Sequence, residues 1–227
     1  MKTLGLIGGT SWHSTIAYYR LINELVGAKI GSQANPPLII HSINIELMRE
    51  QNKEKINTKY LDVSKKLENA GAEAIVICAN TPHMVYEFVQ PKIGIPILHI
   101  ADATAEVIKK NKLKTVGLLG TAFTMERTFY KDRLIEKHGI NVLIPNDEDR
   151  KIVHDVIYNE LCLGKIEASS KQEYIRIINE LSASGAQAVI LGCTEIGMLV
   201  KQADTDVLLL DTTAIHAQKA VEQAMQD

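Results

Sequence analysis

The sequence predicts an α/β protein made of two pseudo-symmetric, doubly wound halves, each around a parallel sheet of the four-stranded type. One observation is an internal repeat, because residues 3–8 (TLGLIG) recur 112 residues later as 115–120 (TVGLLG). Residues 67–77 match 181–191 with an offset of 114 residues. Offsets that agree within two residues across half the chain indicate a duplicated unit.

The second observation is the alternation of strands and helices. Apolar runs at 74–77 and 188–191 are typical of strands buried on both faces. Further strands are predicted at 38–43, 95–100 and 207–210. Helices are predicted at 12–26, 54–70, 103–111, 125–138, 147–163, 171–184 and 213–225. This order favours two α/β domains, the first covering residues 1–100 plus 208–227 and the second 101–207.

Composition excludes several classes of protein. The chain has 227 residues, 46% of them hydrophobic, and a net charge of −2, so it offers a sizeable core and no basic patch for nucleic acid. No run of 18 apolar residues predicts a membrane span, and the first residues do not resemble a signal peptide, so we expect a cytoplasmic protein. Three cysteines without a C-x-x-C pair argue against a disulfide framework or a zinc site.

Ligands of parallel sheets bind beyond the carboxyl ends of the strands. Four loops follow strand ends here, at 8–11, 78–83, 120–124 and 192–195, and we expect them around one cleft between the two halves. They are rich in Gly, Thr, Ser and Asn and poor in Lys and Arg. Hydroxyls such as Thr10, Ser11 and Thr124, together with backbone N–H groups, suit a carboxylate ligand.

Motifs along nearly the whole chain carry a family resemblance. They are GLIGG (5–9), ANTPH (79–83), HI (99–100), GLLGT (117–121), TME (124–126), IYNEL (157–161), GCTE (192–195) and DTTAIH (211–216). Together they resemble the aspartate/glutamate racemases that work without pyridoxal phosphate.

The resemblance implies a two-domain fold, usually a homodimer, that acts on a small amino acid with neither metal nor organic cofactor. In that family one cysteine removes the α-proton and a second cysteine returns it on the opposite face. The roles carried over are substrate-carboxylate binding by Asn80, Thr81, Thr121 and Thr194, and acid/base catalysis by Cys193.

This layout suits the chemistry of an acidic Cα–H. Without an electron sink, hydrogen-bond donors must already be in place to stabilise the charge that builds on the carboxylate. A racemase also needs an acid/base on each face of Cα. We expect helix N-termini and nearby donors to lower the pKa of the thiol.

The first thiol is missing. The offset of 114 residues pairs Cys193 with Ala79, and the family's Cys-Asn-Thr motif reads Ala79-Asn80-Thr81 here. Cys78 comes one residue too early and, because side chains alternate along a strand, we expect it to point into packing. A functional Cys78 would need a local twist at the strand end.

Two other groups can serve the first face. Thr81 can donate a proton, although a hydroxyl is a poor base. His83 is either an acid/base or a residue that stabilises the helix start. We therefore expect a slow or directionally biased racemase. A related branch of the superfamily, which resembles arylmalonate decarboxylases, keeps only the second cysteine and uses it to protonate an enolate after CO₂ leaves.

Three further residues have two interpretations each. Arg49 either binds a distal carboxylate, as the resemblance implies, or is a solvated helix residue. Cys162 stands where some family members have a lysine, and packing is the simpler role. Glu195 either binds the substrate ammonium, tunes the thiol, or carries a charge that favours a helix start.

Three hypotheses follow for the function. The first is an amino-acid racemase of the aspartate/glutamate type. The second is a one-thiol decarboxylase or isomerase of a dicarboxylic acid. The third is a non-catalytic protein that binds carboxylates.

Overall fold

Two four-stranded parallel sheets organise the part of the chain that the computed structural model describes, residues 1–127 and 129–226. One unit is formed by Met1–Ile100 together with the segment from Thr213 onward, and the other by Ala101–Thr212. The predicted fold class, a duplicated α/β protein with parallel sheets, is therefore confirmed.

The strands have the same order in both sheets. In the first, the order is β2-β1-β3-β4, with β1 (Leu4–Gly8), β2 (Leu38–Ser42), β3 (Ala74–Ile77) and β4 (Ile97–Leu98). In the second, the order is β6-β5-β7-β8, with β5 (Thr115–Leu119), β6 (Asn141–Leu143), β7 (Ala188–Leu191) and β8 (Leu208–Asp211). All neighbouring strands are parallel, so β5 repeats β1 and β7 repeats β3.

The helices connect these strands. They are α1 (Trp12–Ile30), α2 (Glu46–Arg49), α3 (Lys53–Asn69), α4 (Tyr86–Val89), α5 (Ile100–Lys110), α6 (Ala122–Glu126), α7 (Thr128–Asp132), α8 (Asp147–Asn159), α9 (Ala168–Ala183), α10 (Ile196–Leu199) and α11 (Thr212–Ala224). Short 3-10 turns lie at Thr81–Val85, Gln90–Lys92, Leu161–Leu163 and Gln202–Asp204. None of the helices within the described ranges is long and apolar enough to cross a membrane.

Side-chain caps fix where the longer helices begin. The side-chain oxygen of Ser11 accepts a hydrogen bond from an N–H in the first turn of α1. Asn52 and Asn146 do the same for α3 and α8. Each such cap stabilises a helix by about 1 kcal/mol. The start of α1 therefore follows directly from the loop after β1.

The sheet of the first unit is buried on both faces. Leu4 and Leu6 pack on one face against apolar side chains of α1 and α11, including Ala217. Ile7 packs on the opposite face against α3 side chains such as Tyr60. This alternation explains the continuous apolar runs, because both faces of a doubly wound sheet are covered by helices.

The structure differs from two predicted boundaries. Residues 208–212 belong to the second unit rather than the first, because β8 pairs in parallel with β7 and places Leu208 beside Ala188. The strand predicted at 95–100 is shorter, and α5 begins at Ile100.

The single helix predicted at 125–138 is also broken. The chain there forms the end of α6, then α7, then a π-helical turn at Arg133–Lys137. Arg133, Lys137 and His138 all donate hydrogen bonds of 2.7–2.8 Å to the carboxylate of Asp102 in α5. Burial raises the pKa of Asp102, but these hydrogen bonds outweigh burial and hold that pKa well below its usual range. The break therefore accompanies a contact about 30 residues away in sequence.

Candidate active site

In the first unit, the loops after β1 and β3 lie side by side because these strands are parallel neighbours. The Ser14 hydroxyl donates a 2.7 Å hydrogen bond to the carbonyl oxygen of Cys78, which joins the two loops directly. The hydroxyls of Thr10 and Tyr60 are 2.9 Å apart, and Ser11 caps α1. Both predicted ligand residues therefore already take part in fixing the loop.

The turn after β1 requires glycine. Gly9 has a φ of +90°, and a Cβ built on it would lie 2.0 Å from the carbonyl oxygen of Ile43. Its N–H donates a 3.0 Å hydrogen bond to the Thr15 hydroxyl. Any side chain here would displace the loop that carries Thr10 and Ser11.

Cys78 and Ala79 follow β3. Cys78 is buried in the apolar core between the sheet, α1 and α11, and burial raises the pKa of its thiol far above the usual range. The expectation that Cys78 packs as a small apolar side chain is confirmed. Ala79, two residues past the end of β3, is half-buried.

The next residues form a tight turn. Asn80 and His83 are buried, whereas Thr81 is half-buried. His83 Nδ1 lies 2.9 Å from the carbonyl oxygen of Ala79 and 3.1 Å from that of Asn80. Because carbonyl oxygens only accept hydrogen bonds, Nδ1 carries the proton and Nε2 of a neutral ring is the basic nitrogen. His83 thus holds the backbone at the position of the missing thiol.

His83 belongs to a cluster of buried histidines. Its ring centroid is 4.8 Å from that of His99 and 5.4 Å from that of His216. His216 Nε2 donates a 2.7 Å hydrogen bond to the Leu98 carbonyl, and Nδ1 accepts one of 2.8 Å from the Tyr18 hydroxyl. Burial, followed by the charge of His83, lowers the pKa of His216 to about 3. His216 is therefore neutral, with both ring nitrogens bonded.

This burial predicts acid sensitivity. The pKa of His216 falls from 6.5 to about 3 on folding, so the unfolded chain takes up a proton first as the pH decreases. We expect the free energy of unfolding to be fully retained above pH 6.5 and to fall between pH 6.5 and 3, by up to about 1.4 kcal/mol per pH unit from this group.

His216→Asn should flatten the pH dependence of the urea midpoint in that window. His13→Asn, at an exposed histidine of α1, is the matched control and should leave the slope unchanged. Equal slopes in the wild type and His216→Asn would contradict the prediction.

Arg49 lies at the end of α2. Its side chain is largely exposed and forms a 2.6 Å ion pair with Glu46, three residues earlier. This environment is that of a solvated helix residue. A role in binding a distal carboxylate stays a prediction.

In the second unit, Thr121 follows β5 and caps α6. The N–H of Thr124 is 3.4 Å from the Thr121 hydroxyl oxygen, and the two hydroxyls are 3.3 Å apart. Thr124 is buried and Thr121 is half-buried. Distances at the long end of the hydrogen-bond range leave the Thr121 hydroxyl well able to turn toward a ligand.

The end of β7 is held against the end of β5. The N–H of Gly192 donates a 2.7 Å hydrogen bond to the carbonyl oxygen of Leu119. A Cβ on Gly192 would approach that same oxygen to 2.7 Å, so this contact excludes a side chain. The position of Cys193, the next residue, is therefore fixed by the backbone.

Cys193 is paired with a carboxylate. Its half-buried thiol donates a hydrogen bond of 3.0 Å to Oε2 of Glu195, which is buried. Burial, and then the charge and hydrogen bond of Glu195, raise the pKa of Cys193 well above its ordinary value. This result is opposite to the expected lowering, because a buried carboxylate disfavours a second negative charge beside it. Cys193 is thus a thiol at neutral pH.

Other acidic groups surround this pair. Cys162 is exposed as a residue, but partial burial of its thiol and then the charge of Glu195 raise its pKa to about 11. Burial raises the pKa of Tyr174, and the negative charges of the ionised Cys193, Glu160 and Cys162 raise it further. Oε2 of Glu160 is buried without a hydrogen-bond partner among the described residues. Glu160 and Tyr174 were not predicted as site residues, although Glu160 stands in the IYNEL motif.

The two units differ at equivalent positions. Ala79 and Cys193 each lie two residues past the third strand of their unit, β3 and β7. The same offset aligns Thr81 of the first unit with Glu195 of the second in the sequence of the repeats. The first unit therefore lacks both members of the thiol–carboxylate pair. No group of three or more His, Cys, Asp or Glu side chains in the described ranges is arranged to hold a metal ion.

Comparisons with known proteins define the class as a racemase fold of two α/β domains. Two solved structures align with this chain over the full length of both proteins. A candidate Asp/Glu racemase from Yersinia pestis is 47% identical with a TM-score of 0.94. An aspartate racemase homologue from Pyrococcus horikoshii OT3 is 38% identical with a TM-score of 0.90.

The family model for Asp/Glu/Hydantoin racemase matches residues 7–220, and the chain belongs to this family. A broad specificity amino-acid racemase from Bacillus subtilis (strain 168) is 22% identical over 96% of each chain. The resemblance found in the motifs is confirmed, and these relatives support an isomerase of the racemase type.

Proposed function

We propose that the chain is an amino-acid racemase of the aspartate/glutamate type that needs no cofactor, with Cys193 as its acid/base. The observation that carries this proposal is the hydrogen bond between the Cys193 thiol and the Glu195 carboxylate. The protonated Cys193 thiol can donate its proton to the substrate Cα. To act as a base it first passes its proton to Glu195, which leaves a thiolate and a neutral carboxylic acid.

Polar groups at the strand ends would bind the substrate. We assign Asn80, Thr81, Thr121 and Thr194 to the α-carboxylate. Thr10, Ser11 and Thr124 support this set within the same loops, and Arg49 is the candidate for a distal carboxylate. Such donors stabilise the charge that develops when Cα loses its proton.

Acidic groups near Cys193 would attract the substrate ammonium. Glu195 is buried beside the thiol, and Glu160 has a buried carboxylate oxygen in the same surroundings. A bound ammonium would offset these charges and thereby lower the pKa of Cys193. Thiolate formation would then depend on the presence of an amino acid.

A second acid/base would serve the other face of Cα. Thr81 is the candidate proton donor, and His83 is the candidate base through Nε2. Neither replaces a thiolate fully, so we expect slow or one-sided racemisation.

A one-thiol decarboxylase or isomerase of a dicarboxylic acid is the second candidate. The raised pKa of Cys193 favours it, because protonation of an enolate requires only a proton donor. A protein that binds carboxylates without turnover is the third hypothesis.

One experiment separates these candidates. The protein is incubated in D₂O with the twenty amino acids and with several dicarboxylates, and Cα deuteration and CO₂ release are measured. Deuteration of an amino acid supports the racemase. CO₂ release or a shifted double bond from a substrate without an amino group supports the second candidate. Ligand-dependent thermal stabilisation without turnover supports the third.

The difference between the units predicts how a second base can be restored. Ala79→Cys alone supplies a thiol without its carboxylate partner, and we expect a several-fold gain in deuterium exchange. Ala79→Cys combined with Thr81→Glu rebuilds the pair found at Cys193 and Glu195. Initial exchange rates of both enantiomers at saturating substrate should be more symmetric in the double variant, whereas its KM should rise because Thr81→Glu removes a hydroxyl assigned to the α-carboxylate. No gain in either variant would refute the assignment of position 79.

We also propose a homodimer that works in the cytoplasm on a free amino acid. The family resemblance supports this assembly. Light scattering after size-exclusion chromatography measures its mass.

A further inference from the structure

We infer that His154 is a positioning residue for the loop that carries Thr121, and that it thereby sets the affinity for the substrate carboxylate. This inference rests on the proposed function, because Thr121 is there assigned to the carboxylate. His154 lies in α8, outside the strand-end loops and outside the motifs that resemble the family.

The contact is a hydrogen bond from the backbone. The N–H of Ala122 donates to His154 Nδ1 over 3.2 Å. Ala122 directly follows Thr121 and is the first residue of α6, which has five residues. A helix of five residues is only marginally stable by itself. A contact from a longer helix therefore contributes more to holding its backbone in place. The thirteen-residue α8 supplies that contact.

The hydrogen bond also fixes the tautomer of the ring. Nδ1 accepts from an N–H, so it carries a lone pair and the proton of the neutral ring is on Nε2. The centroid of the Tyr158 ring, one helical turn later, is 4.7 Å from that of His154. Backbone and aromatic contacts therefore hold the imidazole on two sides.

This arrangement acts on Thr121 rather than on a reacting atom. The Thr121 hydroxyl has only long contacts with Thr124, of 3.3–3.4 Å. Its position relative to a carboxylate thus depends on how firmly the adjacent Ala122 backbone is held. Loss of the His154 contact should weaken binding more than it slows the chemical step.

Amide hydrogen exchange tests the contact without any ligand. In His154→Leu the Ala122 amide loses its acceptor, and exchange in a peptide covering 118–126 should become about five- to tenfold faster. His154→Asn should restore protection, because the Asn side-chain oxygen can take the place of Nδ1. His13→Leu, at an exposed histidine stacked on Trp12, is the control and should show no change. Unchanged exchange in His154→Leu would overturn the inference, whatever the enzyme does.

Calorimetric titration then tests the role in binding, with L-aspartate and with succinate, which lacks the amino group. We expect the Kd of the ligand that the wild type binds to rise about five- to tenfold in His154→Leu and to recover in His154→Asn. In the exchange assay, KM should rise while kcat changes less than about threefold. Faster amide exchange with an unchanged Kd would reduce His154 to a structural contact and refute its role in affinity. If the wild-type protein binds both compounds but catalyses no reaction, the proposed racemase function is refuted and the inference about His154 is not affected. If the wild-type protein binds neither compound, the proposed function and the inference about His154 are both refuted.

Discussion

Cys193→Ser should lower Cα deuterium incorporation by about 10²- to 10⁴-fold. The substitution keeps the size and the hydrogen bond of the side chain near Glu195, but a serine hydroxyl holds its proton far more tightly than a thiol. The loss therefore reports on proton transfer rather than on packing. A fold change of this size is the largest expected from any single substitution in the chain.

The measurement is the initial rate of deuteration of the active amino acid in D₂O, followed by mass. Cys162→Ser is the matched control, because that thiol is exposed and has a pKa of about 11, and it should retain nearly full activity. If Cys193→Ser keeps more than about a tenth of the wild-type rate, another group carries out the proton transfer.

Glu195→Gln should change two properties of Cys193 in opposite directions. Removing the charge lowers the pKa of the thiol, because the Glu195 charge helps to raise it, so alkylation by iodoacetamide at pH 8 should become several-fold faster. Deuterium exchange should fall about 10- to 100-fold, because an amide cannot accept the thiol proton. A residue with only a structural role would not separate reactivity from catalysis in this way.

Peptide mass spectrometry assigns the alkylation to Cys193, and a Cys162→Ala background removes the second accessible thiol. Slower alkylation in Glu195→Gln would show that the carboxylate favours the thiolate, contrary to the geometry. Exchange that rises together with alkylation would show that Glu195 restrains the enzyme and accepts no proton.

The fold could be predicted because its evidence is distributed along the chain. The repeat and the apolar runs at 74–77 and 188–191 reflect two equivalent sheets. Predictions from local sequence patterns were wrong where contacts between residues far apart in the sequence determine the structure. The break near Arg133 accompanies the cluster on Asp102, and residues 208–211 join the sheet of β7 through strand pairing.

The candidate site was predictable only in part. The place of Cys193 follows from its motif and from the repeat, and so does its difference from Ala79. The protonation state of the thiol does not follow, because it depends on the orientation and burial of Glu195. His154 gave no sequence signal, since its partner is a backbone N–H about 30 residues earlier.

The division of the chain has a consequence for folding during synthesis. The second unit is one uninterrupted segment, Ala101–Thr212, whereas the core of the first includes Ala217 and Val221 of α11 beside Leu4 and Leu6. A chain emerging from the ribosome can thus complete the second unit while the first still exposes an apolar sheet face. Domains generally fold as units during synthesis, from the N-terminus onward. Here α11 belongs to the first domain but is synthesised after the second domain, so a truncation within α11 should promote aggregation of nascent protein.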